Sequence, residues 1–184
     1  MPPPMPARSA RHSSKAAAVA PTAFAPQKSG ASEKELVLFE IERARVAVKA
    51  ALQGLGAAGA SRPVAPGKWS PREIVLHLAV RDRVRLEELG AIASGTPASW
   101  VHLDEVAMTH VNEAHLAPLR GQSWEDAVRL LDRTRAELLA ALLAVPAEPA
   151  ETWSERHPFG IVMRALAPHD RKHADQIKNA RIAG

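Results

Sequence analysis

The chain contains no cysteine, which excludes a disulfide framework, a thiolate metal site and a cysteine nucleophile. Any metal would have to be held by histidine and carboxylate. No apolar run approaches the roughly 20 residues needed to span a bilayer, so no membrane role is expected. Gly-x-Gly-x-x-Gly, Walker, His-Glu-x-x-His and Gly-x-Ser-x-Gly motifs are all missing, which removes the common nucleotide, zinc-protease and serine-hydrolase signatures. There is no strand pattern bounded by turn signals and no internal repeat.

What is present begins with charge. The 184 residues carry a formal net charge of +4, but its location argues against a nucleic-acid-binding body. Residues 1–31 contain Arg8, Arg11, Lys15 and Lys28 and no acid, leaving 20 basic against 20 acidic residues for positions 32–184. A nucleic-acid-binding domain is expected to carry its own basic patch. Residues 1–31 are rich in Pro, Ala and Ser without apolar periodicity and are expected to form a disordered tail. With no continuous apolar segment before a cleavage site there is no ordinary secretory signal. The expected location is the cytoplasm, an organellar transit peptide being the second reading of the tail.

Residues 32–184 suffice for one domain with a real core. Ser32 with Glu33 and Glu35 opens a helix whose apolar stripe is Val37, Ile41, Ala44, Val48, Leu52 and Leu55. A second helix starts in KWSPREIVLHL: Ser70 caps, Pro71 suits the first position, and Glu73 reaches back to the cap, so Glu73 is read as a capping residue before a catalytic one. It runs to about Ala93, before Gly95 and Pro97. The segment from about His102 to Leu116 is either a shorter helix or an irregular excursion. Ser123 caps a helix with Trp124, Val128, Leu131, Thr134, Leu138 and Leu142 on one face, and a last helix is expected over about 161–182. The fold class is therefore all-α, an antiparallel four-helix bundle whose sites would be built from side chains on facing helices.

His169 and His173 fall within the apolar stripe of the last helix, four residues apart, where two imidazoles can share a cation. His77 sits among core-flanking positions of the second helix. Three inward histidines from two helices make a metal site with open positions, the catalytic arrangement; hydrogen-bonded core histidines are the competing reading. His102, His110 and His115 do not share a helical face, His157 precedes a proline in a loop and His12 lies in the tail. His110 is the one that would matter if it approached the core. Asp170 points about 100° away from His169, toward solvent or a supporting position beside the site. Trp69 stands next to the site mouth, and the other tryptophans are expected to anchor helix ends. Pro168 either kinks the last helix and re-aims His169, or opens a fresh helical segment that keeps the pair intact.

The patterns W-S-P-x-E-x-x-x-H-L at 69–78, R-H-P-F-G at 156–160 and A-x-H-D-R-x-H-A-x-Q-I at 167–177 resemble the DinB-like superfamily over about residues 33–182, nearest its bacterial damage-inducible and YfiT-like members. The resemblance implies a four-helix bundle, commonly a homodimer, with a divalent metal on one histidine of the second helix and two of the last. By position these are His77, His169 and His173, with Trp69, His110 and Asp170 as candidates for supporting them. It implies zinc or nickel first, manganese or iron second. The expected function is a metal-dependent hydrolase or a thiol or other nucleophile transferase, acting on a small molecule, with a low-molecular-weight thiol as one candidate cosubstrate. No protein residue is assigned as the catalytic base; the reactive group would be metal-bound water or the cosubstrate. The alternative is a non-catalytic, small-molecule-binding or stress-protective bundle. Residues 95–120 are expected to border the pocket.

Overall fold

The computed structural model describes residues 30–182; apart from Gly30 and Ala31, the stretch expected to be a tail lies outside them. Every regular element among the described residues is helical: α1 (Glu33–Leu52), α2 (Ala57–Ala60), α3 (Pro71–Ala93), α4 (Glu105–Leu116), α5 (Trp124–Ala144), α6 (Pro158–Arg164) and α7 (Leu166–Ile182), with short 3-10 turns at Ala117–Leu119 and Ala150–Trp153.

The helix starts follow from local chemistry. Ser32 with Glu35 and Ser70 with Glu73 both form complete capping boxes, and Ser123 caps α5. The Ser70 box also positions Arg120, whose Nε donates to Glu73 Oε1 at 3.0 Å. Ser70→Ala is expected to lower the unfolding free energy by about 1 kcal/mol in urea denaturation. An unchanged midpoint would show that the cap contributes nothing.

Two expectations are refined. The segment before Leu116 is a regular helix, α4, capped by Asp104, whose side chain accepts from the Ala107 N–H. The last helix is not continuous: α6 ends at Arg164, Ala165 turns, and α7 starts at Leu166. Pro168 thus lies in the first turn of α7, where its missing N–H needs no partner, and the His169 N–H makes the next bond, to Ala165 O at 3.3 Å. The break satisfies Pro168 before the histidine pair begins. Gly160 of α6 is needed for close approach, since a Cβ there would meet Ser154 O at 1.9 Å.

Contacts along the helices give their directions. Glu33 pairs with Arg164, Glu40 with Arg171, and Ala51 O accepts from Arg181, so α1 and the α6–α7 pair run the same way. Arg72 reaches Gln122 O, and Asp82 binds Arg135, so α3 and α5 also run together. Lys34 reaches Val145 O and Lys49 pairs with Asp132, so α1 opposes α5. Neighbouring helices therefore do not simply alternate, as a plain antiparallel order would have them. The connection over 94–123, which contains α4, is long enough to return the chain to the end where α3 began.

Two apolar clusters fill the interior, one around Val48, Ile74, Leu78, Leu131 and Ile177, the other around Ile41, Leu138, Trp153, Phe159 and Met163. Between them lies a buried charge network with one residue from each long helix: Arg45 of α1, Asp82 of α3, Arg135 of α5 and Asp170 of α7. All four are 5 % exposed or less. Arg45 donates to Asp170 at 2.9 Å and to Asp82 at 3.1 Å; Arg135 donates to Asp82 at 2.8 and 2.9 Å and to Asp170 at 3.2 Å. Two positive and two negative groups neutralise one another and tie all four helices at one level, with Arg45 Nη1 left without an acceptor.

Candidate metal centre

Two turns into α3 from its cap, the helix carries His77 inward; α7 presents His169 and His173 from the opposite side. One ring nitrogen from each histidine can be chosen so that all three lie within 4.8 Å of one another. The Nε2 atoms of His77 and His169 are 3.1 Å apart, and the ring centroids are separated by 4.6 to 5.2 Å. Two nitrogens each about 2.0–2.1 Å from one zinc ion stand roughly 3.3 Å apart at tetrahedral angles, so the spacing fits a shared ion after a small adjustment.

The electrostatics favour neutral rings. Burial, reinforced by the positive neighbours His173, Arg81 and Arg85, pushes the His77 imidazole down to about 2. His169 is lowered by burial and by the other two histidines, and His173 by burial, partly offset by its bond to Gln176. Neutral imidazole is the form that ligates metal. His173 Nδ1 lies 2.8 Å from Gln176 Oε1; the carboxamide oxygen only accepts, so Nδ1 carries the proton and Nε2 keeps its lone pair toward the cluster. His169 Nδ1 is buried without a partner. The donor set, its convergence and the tautomer fixed by Gln176 fit a divalent ion.

These shifts set a pH dependence. A histidine whose folded pKa lies below its unfolded value of about 6.5 contributes nothing above that pH; below it the unfolded chain takes up the proton first, and stability falls. The metal-free protein is therefore expected to lose thermal stability progressively below about pH 6.5, seen as a falling melting temperature. A melting temperature constant from neutrality to about pH 5 would contradict buried, neutral histidines.

The histidines open into a cleft of about 600 Å³ between α3, α4 and α7. Trp69 packs against His77 at a tilt of 45°, with ring centroids 4.8 Å apart, and donates from Nε1 to Glu113 Oε1 at 2.9 Å, which places it beside the site as expected. Trp100, Met108, Thr109, Asn112 and Glu113 supply the outer wall, so the 95–120 segment does border the pocket. His110 does not join them: it is exposed on another face of α4. Asp170 faces the four-residue charge network rather than solvent, with both carboxylate oxygens bonded there. His157 caps α6, its Nδ1 accepting from Phe159 N–H, and His102 and His115 are exposed.

Three features of the site went unread in the sequence. Gln176 follows His173 by three residues, the spacing that brings side chains together on a helix. Arg81 and Arg85 follow His77 at four and eight residues and line the same cleft. Helical phase carried both signals.

A family model described as the DinB superfamily matches residues 40–177. No curated protein and no solved structure matches the chain.

Proposed function

The chain belongs to the DinB superfamily, and on that premise we propose that it is a divalent-metal-dependent enzyme of the hydrolase or nucleophile-transferase type. The observation that carries the proposal is the convergence of three histidines from α3 and α7, His77 and His173 buried and His169 half-buried, at the floor of an open cleft. His77, His169 and His173 hold the ion, zinc or nickel before manganese or iron, since imidazole suits the later transition metals. Bound to three neutral ligands, a divalent ion keeps its full charge and supplies Lewis acidity.

The chain's own residues do the rest. Gln176 holds the proton of His173 on Nδ1. Trp69 packs against His77 at a tilt and limits water on that side. Among the described residues, Glu113 is the one acidic residue lining the cleft, and its oxygens are bound by Trp69 and Arg120; it fixes the wall in place and is not free to act as a base. The long helices act as the four-helix bundle of the superfamily, in a homodimer, and a low-molecular-weight thiol is a candidate cosubstrate.

The test is turnover by metal-loaded and chelator-treated protein on activated esters and on thiol addition to electrophiles. The proposal expects activity that returns with the ion and disappears in His173→Ala. A stoichiometrically loaded protein with no metal-dependent turnover on either class would favour a binding bundle instead.

Gln176→Ala is expected to weaken metal affinity about 10- to 100-fold by freeing the His173 tautomer, measured by competition with a chromophoric chelator. Unchanged affinity would remove Gln176 from the site.

A further inference from the structure

We infer that the cleft takes a small anionic substrate whose carboxylate or phosphate-type oxyanion is bound by Arg81 and Arg85. The word substrate rests on the metal-dependent reading above; the anion site itself stands on separate observations.

Arg81 and Arg85 are 5 % and 2 % exposed, yet both line the cleft. Buried arginine normally meets a carboxylate, because an uncompensated charge away from water is costly. The buried ion pairs among the described residues are those of Arg45 and Arg135 with Asp82 and Asp170. Asp82, next to Arg81 in sequence, is hydrogen-bonded to Arg45 and Arg135, and with Asp170 it offsets Arg85 only from a distance. Burial lowers Arg81, opposed only at a distance by Glu88, whose Oε1 accepts from Ser99. Among the described residues, neither cleft arginine has a carboxylate within ion-pair distance.

What they do contact leaves most of their donors without an acceptor. Both guanidiniums lie over the Trp100 ring, 5.2 and 5.5 Å from its centroid. Such stacking occupies the face of a guanidinium and leaves the N–H groups on its edge. Arg85 Nη1 donates to Arg81 O at 3.0 Å, whereas Arg85 Nε is buried with no acceptor, as is Trp100 Nε1. Lys68 and Lys172 add positive charge to the lining, against Glu113 alone. The wall thus has donors without acceptors, and an oxyanion is the group that satisfies a guanidinium fork.

The spacing sets the shape of the ligand. His77, Arg81 and Arg85 rise along one stripe of α3 at about 6 Å per step. A molecule reaching from the histidines to the arginines carries its anionic end about one to two helical turns from its reacting end. A neutral compound of equal length would leave both arginines unmatched.

The test is calorimetric titration of the full chain with succinate, with inorganic phosphate and, as the neutral control, with succinamide, metal content being measured on the same samples. At least one anion is expected to bind saturably and succinamide not to bind. Arg81→Met and Arg85→Met should each weaken that anion about tenfold or more, while chelator treatment leaves binding in place. The tighter of the two anions identifies the headgroup. No binding of either anion to the wild-type protein, or equal binding to the arginine variants, would overturn the inference; so would binding that vanishes with the ion while surviving in the arginine variants. Circular dichroism checks folding, and should Arg85→Met not fold, Arg81→Met decides. Failure of the metal reading would show separately, as anion binding by a protein that takes up no metal.

Discussion

Asp82→Ala is expected to cost about 3–5 kcal/mol of unfolding free energy, the effect of removing one partner from a buried ion pair. Asp82 accepts from Arg45 and twice from Arg135, and its charge also offsets Arg85. Without it, three guanidiniums face Asp170 alone in the interior. A typical domain is stable by only about 5–15 kcal/mol, so the variant should be partly unfolded near physiological temperature. The ordering is specific. Replacing the whole quartet by packed apolar residues should cost far less than this single change, since the penalty comes from stranded charge and not from lost attraction. Denaturant titration checks both. A loss below about 1 kcal/mol for Asp82→Ala would mean that water reaches the network and the helices are not tied there.

Removing a ligand should act on a different quantity. His169→Ala and His173→Ala are each expected to lower affinity for zinc by more than about 100-fold, beyond the loss typical of residues that merely orient a ligand. The helical signal should persist, because neither ring belongs to the apolar clusters that join the helices. A saturating ion stabilises the native protein by about 2.7 kcal/mol at a concentration 100 times its dissociation constant. Zinc should therefore raise the melting temperature of the wild-type chain and leave that of both variants nearly unchanged. An equal rise in all three proteins would place the ion elsewhere.

Features built from near neighbours in the chain were legible from the sequence. Both capping boxes depend on residues three apart, and the structure has them as expected. The histidine cluster was legible because helical phase puts His169 and His173 on one face and His77 on an inward stripe. Pro168 allowed two outcomes; the break at Ala165 realises the one that keeps the pair intact.

Pairing across the chain was not legible. Asp170 carries a charge that suggests solvent, but its partners Arg45 and Arg135 lie 125 and 35 residues away, beyond any local pattern. Arg81 and Arg85 share the stripe of His77, so helical phase pointed to them, yet basic residues beside a core position ordinarily signal a solvated edge, and that reading hid the signal. His110 was one or two residues out of phase with the positions of α4 that do face the cleft, Met108, Thr109, Asn112 and Glu113. Helix direction depended on the 94–123 connection, whose path no periodicity encodes.

The most direct test is the metal content of the chain purified without a metal-affinity tag and then equilibrated with zinc, nickel or manganese, beside His77→Ala. Close to one ion per wild-type chain, and none retained by the variant at unchanged helical content, is the predicted result. A wild-type protein that takes up no ion from any of the three solutions would contradict a metal centre at His77, His169 and His173.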